Sequence, residues 1–194
     1  MSASATVFLL SPANLSGKRG QQVMNPDAGF ALARALRSEE GAPLAAVFSF
    51  VSGLYFRGKL GYAKAFGREA TGLGSAYVMV AGGGLCPPEE AVTLSRLRDW
   101  QKVSVSEHNP HFTAPLMRHA SLLLDRCDAT ARFVLLGSVA SNKYVAPLLE
   151  VFAERLYFPV DFAGLGDMSR GALMLRAARD GQELDYAPLA GTAR

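Results

Sequence analysis

The chain lacks several features that mark specialised classes of protein. It has only two cysteines, Cys86 and Cys127, in 194 residues. Two are too few for a disulfide framework and too isolated for a zinc site, which needs clustered Cys and His. No apolar run approaches the roughly 18 residues of a membrane-spanning helix, and no basic segment precedes the short apolar stretch near the N-terminus. These absences predict an unprocessed cytoplasmic protein with no membrane segment and no metal.

Charge is sparse and nearly balanced. Charged residues make up 19% of the chain, and 20 basic against 17 acidic side chains give a net charge of +3. A hydrophobic content of 49% excludes a disordered chain. The small basic excess is only a weak indication of a polyanionic partner, because the distribution of charge makes a nucleic-acid footprint. The length predicts a single domain over residues 1–189 with a frayed tail at 190–194.

Short apolar runs alternate with helical patterns along the chain. The alternation predicts an α/β fold, a single three-layer domain with a mostly parallel sheet flanked by helices. The predicted strands are Thr6–Leu10, Ala76–Val80, Arg132–Leu136 and residues 156–160.

Helices are predicted where apolar residues recur at three- and four-residue spacing. Residues 44–51 are apolar and fit either a short strand or an irregular buried segment. Residues 85–112 show the least pattern, and we expect a functional loop or lid there. Pro147 is expected in the first turn of its helix. The predicted helices cover residues 26–37, Leu54–Phe66, and residues 116–127, 144–153 and 168–179.

Ligands of open α/β sheets bind beyond the carboxyl ends of the strands, so the loops that follow strands are the candidate sites. The loop of residues 11–20 combines glycines with hydroxyl, amide and cationic groups, which suit a phosphate or a carboxylate. It lacks the spacing of a Walker A loop, and an ordinary solvated loop is the alternative. Its candidate ligand-binding residues are Ser11, Asn14, Ser16, Lys18 and Arg19.

Three further loops are candidates on similar grounds. Gly83 and Gly84 follow a strand and either admit a ligand or form a tight bend. Asn142 and Lys143 open a helix, where backbone N–H groups favour anions, although Asn142 as a cap and Tyr144 as a core residue explain the pattern equally well. In the last loop Asp167 is either a cap or an acid/base group, and an arginine near Gly166 suits a bidentate phosphate clamp. Its residues are Gly166, Asp167 and Arg170.

Some other patterns have both a functional and an ordinary interpretation. Tyr55 and Arg57 belong to a segment that alternates aromatic and basic residues, typical of a base-stacking surface or of a helix with snorkelling cations. His108 and His111 near Glu107 are read as surface residues rather than metal ligands. The Glu89-Glu90 pair fits a helix N-terminus better than an acid/base pair. The sequence shows no recognisable pair of a nucleophile and its general base, so catalytic residues and cofactors are not assigned.

Taken in order, five motifs resemble the YaaA-like family of peroxide-stress proteins. Leu9-Leu10-Ser11-Pro12-Ala13 is similar to that family's opening strand and turn, and residues 50–55 match an aromatic, glycine and tyrosine segment. Gly84-Leu85 with Pro88 resembles a Gly-Leu-x-x-Pro motif. Residues 140–144 resemble Ala-Ser-Asn-Glu-Tyr, and residues 169–174 resemble Ala-Arg-Gly-x-Met. The Gly-Leu-x-x-Pro and Gly-x-Gly pattern also resembles an uncharacterised bacterial and phage domain distantly similar to part of archaeosine synthase.

The resemblance implies DNA binding and protection against oxidative damage in bacteria. The leading hypothesis is therefore a nucleic-acid- or nucleotide-binding protein of a stress-response or DNA-maintenance type. The alternative is an enzyme that acts on a nucleobase or nucleotide, with Asn14 or Asp167 as an orienting or acid/base group. A structural partner protein is the third possibility. We expect the four loops to form one cleft, with one ligand in reach of Asn14, Lys18, Arg19, Lys143 and Arg170.

Overall fold

The structure is a computed structural model that describes residues 4–69 and 72–191. Its centre is a six-stranded sheet in which the four inner strands are parallel and the two edge strands antiparallel. The predicted mostly parallel sheet is thus confirmed, and the last three residues of the predicted tail lie outside the described part. In spatial order the strands are β4 (Gly84–Cys86), β3 (Ala76–Val80), β1 (Thr6–Leu10), β6 (Arg132–Leu136), β7 (Leu156–Pro159) and β8 (Tyr186–Pro188).

Helices cover both faces of this sheet and make the three predicted layers. One face packs against α6 (Pro110–Asp125) and α7 (Asn142–Phe152). No helix of the described residues is both long and apolar enough to cross a bilayer. The other face carries α1 (Lys18–Met24), α2 (Ala31–Arg37), α3 (Leu44–Ser52), α4 (Leu54–Phe66), α5 (Leu94–Gln101) and α8 (Asp167–Asp180).

The central strand explains why apolar runs predicted the sheet well. All five residues of β1 are buried, with Phe8 and Leu10 in the core of one face and Val7 and Leu9 in the core of the other. A strand buried on both faces reads as a continuous apolar run instead of an alternating one. β1 pairs with β3 on one side and with β6 on the other. The strands that follow β1 in the sequence are therefore added first on one side of it and then on the other. This makes β1 the topological switch point of the sheet, where ligands of such sheets bind.

The predicted organisation of residues 11–51 is wrong in three places. The helix predicted over residues 26–37 begins only at Ala31, because Asn25 accepts a hydrogen bond from the backbone of Asp27 and forms a turn instead. A separate helix, α1, begins at Lys18 inside the predicted loop. Residues 44–51 belong to helix α3 and form no strand. Periodicity could not identify this helix because eight nearly uniformly apolar residues leave no polar face.

Residues 85–112 form ordered elements where a loop or lid was predicted. They contain most of β4, the short strand β5 (Ala91–Val92), helix α5 and the start of α6, and β5 pairs antiparallel with β2 (Ala42–Pro43). Side chains cap both helices of the segment, since Thr93 accepts a hydrogen bond from Arg96 N and Asn109 accepts one from His111 N. α6 therefore begins six residues before its predicted start.

Several predicted ends also need adjustment. Pro147 is the sixth residue of α7 and not in its first turn, because that helix begins at Asn142. The last inner strand ends at Pro159, and Val160 opens a short 3-10 turn. α8 extends one residue beyond each end of its predicted range of 168–179, and Gly181 follows it in the left-handed conformation at a φ of 66°.

Candidate functional site

A cleft of about 380 Å³ opens beyond the carboxyl ends of β1 and β3 and beside the start of α7. This is the edge of the sheet at which the sequence places ligands. The cleft combines aromatic, amide, hydroxyl and cationic side chains. Its lining residues are Pro12, Ala13, Asn14, Leu15, Ser16, Phe48, Val80, Ala81, Trp100, Gln101, Val103, Ser104, Val105, Lys143 and Tyr144.

The loop after β1 forms one wall and is held by its own side chains. Asn14 Oδ1 accepts a hydrogen bond from Ser16 N at 3.0 Å, and Gln101 Nε2 donates one to Leu15 O at 3.4 Å. Gly20 lets α1 pack on this loop, because a Cβ there would lie 2.0 Å from Leu15 O. The wall is therefore shaped before any ligand binds.

Trp100, Tyr144 and Phe48 supply the aromatic part of the cleft, and each of these rings is largely buried in its wall. Gly83 packs beneath the indole, since a Cβ there would lie 3.0 Å from Trp100 Nε1. At Gly84, with a φ of 74°, a Cβ would meet Pro115 O at 2.6 Å. Both glycines thus belong to the tight bend from β3 into β4, which was one of their two interpretations, and neither lines the cleft; Gly83 packs on Trp100 and Gly84 on α6.

Lys143 gives the cleft its charge. It is the second residue of α7, and Ser141, rather than Asn142, is the N-cap residue. The Lys143 Nζ atom lies 5.0 Å from the Tyr144 ring centroid. Among the described residues that line the cleft, Lys143 alone carries a charge. The cleft therefore favours an anionic ligand that also has a flat apolar part.

The predicted cations of α1 and α4 lie elsewhere. Arg19 and Arg57 line a second groove, of about 450 Å³, beside the junction of α3 and α4. Arg19 Nη1 donates a hydrogen bond to Phe50 O at 3.5 Å. The same atom packs closely on Gly53, because a Cβ added to Gly53 would lie only 2.8 Å from it. Lys18 is exposed on α1 and lines neither depression. Of the five residues expected around one ligand, only Asn14 and Lys143 share the 380 Å³ cleft.

The aromatic and basic segment of α4 does not form a stacking surface. Tyr55 and Phe56 are buried, and the exposed member is Arg57. The second cation of the segment, Lys59, has no exposed surface at all. Sequence reasoning treated Lys59 as a snorkelling surface residue and missed it as a candidate.

Lys59 is held against the end of β1. Its Nζ atom donates to Ser11 O at 2.7 Å and to Ser11 Oγ at 2.9 Å, and it lies 4.2 Å from the centroid of the Tyr55 ring. Close packing of α4 on α8 excludes water from this place: a Cβ on Gly58 would lie 2.6 Å from Gly171 O. Burial lowers the pKa of Lys59 to about 7, partly opposed by the charge of Asp167.

The Tyr55 hydroxyl completes this buried cluster. Burial first, and then the charge of Asp167, raise the pKa of Tyr55, while Arg170 and Ser11 partly offset the rise. Within the described part of the chain, the Tyr55 hydroxyl forms no hydrogen bond. A buried polar atom without a partner is costly, and this one lies in the cluster formed by Lys59 and Ser11.

Arg170 turns inward and does not line the cleft. Its Nε and Nη2 atoms donate to Phe162 O at 3.2 and 3.1 Å. Its Nη1 atom lies 3.7 Å from Asp167 Oδ1, and the Asp167 side chain is 67% exposed. Gly166 is the N-cap residue of α8, and Asp167 is the first helical residue. The predicted clamp arginine is thus already bound to a backbone carbonyl.

The remaining polar pairs of the sequence have ordinary environments. Glu90 forms an ion pair with Arg96 at 2.5 Å in the turn after β4, so the helix start predicted for Glu89-Glu90 is wrong. His108 is largely exposed, with Nε2 3.8 Å from Glu107 Oε1. The described residues contain no group of three His, Cys, Asp or Glu side chains that could hold a metal ion.

Comparisons with protein-family models, with curated proteins and with solved structures found no match. The assignment of function therefore depends on the geometry of the cleft and of the buried cluster behind it.

Proposed function

We propose that the protein binds a nucleotide, either free or as a unit of a nucleic acid, in the cleft beyond β1. The observation that carries the proposal is the combination of Trp100 and Tyr144 with a single cation, Lys143, at the reversal point of the sheet. Nucleotides are anionic ligands with a flat ring, so they match both properties.

The dimensions of the cleft support this ligand class. Its 380 Å³ falls within the roughly 300 to 1,000 Å³ of small-molecule sites. Lys143 is suited to a phosphate as a point charge, and the amides of Asn14 and Gln101 are suited to the polar edge of a base or to a sugar hydroxyl. A polymer with accessible bases could present one nucleotide to the same cleft.

The charge of the first third of the chain favours a nucleic acid as a second candidate ligand. Residues 1–68 contain eight basic and three acidic side chains, although the whole chain has a net charge of only +3. Arg19 and Arg57 line one groove of this basic region. The resemblance to the YaaA-like family points in the same direction, towards DNA binding in a bacterial stress response.

A ligand screen by thermal unfolding tests the nucleotide proposal. We expect nucleoside monophosphates to raise the unfolding temperature. At a ligand concentration 100 times the dissociation constant, the free energy of unfolding should increase by about 2.7 kcal/mol. The matching nucleosides, which lack the phosphate, should bind more weakly. Calorimetric titration of the best ligand then gives its affinity.

Two variants locate the binding site. Lys143→Ala should weaken nucleoside monophosphates and leave nucleosides nearly unaffected, because it removes only the charge that faces the phosphate. Arg118→Ala is the matched control, since Arg118 is an exposed cation on α6 outside the cleft. Equal affinities of wild type and Lys143→Ala for a monophosphate would contradict the proposed site.

A further inference from the structure

The buried Lys59 lacks the partner that usually makes a buried ammonium tolerable. In the described part of the chain no carboxylate forms an ion pair with it, and the charge of Asp167 acts only from a distance. Its hydrogen bonds go instead to the backbone and hydroxyl oxygens of one residue, Ser11. Burying an ammonium group in this way costs free energy, so a buried lysine tends to be neutral. Such a lysine is also a candidate for a functional residue.

Ser11 connects this lysine to the cleft. It follows the last residue of β1 and immediately precedes Pro12, which lines the cleft. Ser11 itself is 4% exposed and does not line the cleft, so a substrate must reach its hydroxyl from the position next to Pro12. The Oγ atom lies 2.9 Å from Lys59 Nζ, the distance at which a serine can give its proton to a neutral amine.

We propose that Ser11 is a nucleophile and Lys59 its general base, and that the pair transfers a phosphoryl group from a phosphoester of the nucleotide in the cleft. The choice of substrate depends on the nucleotide-binding function proposed above. The Ser11–Lys59 geometry is independent of it.

The reaction has two steps. Ser11 Oγ bonds to phosphorus while its proton passes to Lys59 Nζ, the P–O bond to the leaving alcohol breaks, and Lys59 returns the proton to that alcohol. Water then bonds to the phosphorus of phosphoserine, Ser11 Oγ leaves, and the proton of the water restores its hydroxyl. The Tyr55 hydroxyl, which has no partner among the described residues, is placed to donate a hydrogen bond to a phosphoryl oxygen.

The surroundings favour a phosphoryl over an uncharged acyl group. Besides Ser11 at the end of β1 and Tyr55 on α4 itself, the charged groups near Lys59 are Arg170 and Asp167 on α8. Helix α3, which also packs on α4, contributes no titratable side chain. Once Lys59 has taken the proton of Ser11, Lys59 and Arg170 together face the single carboxylate of Asp167, and Lys143 adds a further cation at the cleft. This excess of cations stabilises an anionic transition state.

The first test is labelling by diisopropyl fluorophosphate, a small phosphoryl electrophile, with the adduct located by peptide mass spectrometry. Wild-type protein should be labelled at Ser11, and the rate should rise as pH increases through about 7, as Lys59 loses its proton. Ser11→Ala should abolish the label. Lys59→Met, which keeps the serine, should slow labelling by roughly 10²-fold or more.

Controls separate this result from unfolding or general reactivity. Ser95→Ala changes an exposed serine of α5 and should label like wild type. If Lys59→Met fails to fold, the mapped adduct and its pH profile in the wild-type protein still decide. No label at Ser11 between pH 6 and 10, or a rate that is the same in folded wild type and folded Lys59→Met, overturns the proposal.

The second test is turnover of bis(4-nitrophenyl) phosphate beside 4-nitrophenyl acetate. Phosphodiester cleavage that requires Ser11 supports the substrate class, whereas cleavage of the acetate alone overturns it. Nucleoside monophosphates should slow labelling of Ser11. If they bind without slowing it, the link between cleft and serine is wrong; if Ser11 is labelled and no nucleotide binds, the proposed ligand fails and the nucleophile stands.

Discussion

The two faces of the central sheet are buried in different ways. Towards α6 and α7, the strands present apolar side chains such as Val7, Leu9 and Phe133 to an apolar helix layer. Towards α4 and α8, the same sheet covers Lys59 and Arg170. Burying cations costs free energy that apolar burial does not, so the first face serves stability while the second gives up stability for polar groups at the site.

The polar face also contains buried groups that are fully satisfied. The Tyr62 and Tyr186 hydroxyls lie 2.6 Å apart, and Tyr62 also accepts from Leu184 N at 2.8 Å. Burial raises the pKa of Tyr62 to about 12, so it stays a neutral donor at ordinary pH. This network fastens the segment after α8 to α4. The Tyr55 hydroxyl has no such partner in the described structure, as expected if it takes part in the proposed reaction instead of holding the fold together.

Truncation of the apolar face should have the largest effect on stability. Phe133 is fully buried and stacks on Phe152 with ring centroids 4.0 Å apart. Phe133→Ala should lower the free energy of unfolding by about 3–5 kcal/mol, through lost burial and a cavity. Urea unfolding measures it. Leu122→Ala, at a residue that is 52% exposed, is the control and should change stability by less than about 0.5 kcal/mol.

The comparison of faces also predicts how Phe133→Ala binds nucleotides. Below its unfolding transition, the variant should keep wild-type affinity, because Phe133 does not line the cleft. A large loss of affinity in the folded variant would show that the apolar face takes part in binding and would remove the division between the two faces.

Lys59→Met should show how much free energy of unfolding the buried lysine costs on the face that packs against α4 and α8. The pKa of Lys59 is lowered in the folded protein to about 7 from 10.5, so between these values the unfolded chain binds more protons and stability rises with pH. Relative to Lys59→Met, the wild-type protein should gain roughly 3 kcal/mol between pH 7 and pH 10. The difference between the two unfolding free energies, measured at both pH values, isolates this group. A difference that is constant with pH would mean that Lys59 is not desolvated.

The sequence predicted the apolar face better than the polar one. Runs such as Arg132–Leu136 identify buried strands because burial on both sides leaves no polar residue in them. Lys59 could not be recognised, because a lysine in a helical pattern is ordinarily exposed. Its burial depends on the contact of Gly58 with Gly171, which are far apart in the sequence. Asn14 and Lys143 line one cleft because the segments that carry them follow the ends of adjacent strands, a placement that strand order alone indicates.

The smallest expected effect concerns the outer surface of the helix layer on the polar face, where a nucleic-acid polymer would bind. Arg57 is exposed on α4 and shares its groove with Arg19. If a nucleic acid crosses this groove, Arg57→Ala should lower the slope of log affinity against log salt concentration by about one, because one fewer phosphate is neutralised. Fluorescence anisotropy with single-stranded and duplex DNA measures the slope. Arg118→Ala, on the opposite helix layer, should leave it unchanged. If wild type, Arg57→Ala and Arg118→Ala all have the same salt dependence, the groove of Arg57 does not bind the nucleic acid. Ligand binding on the polar face would then be confined to the cleft.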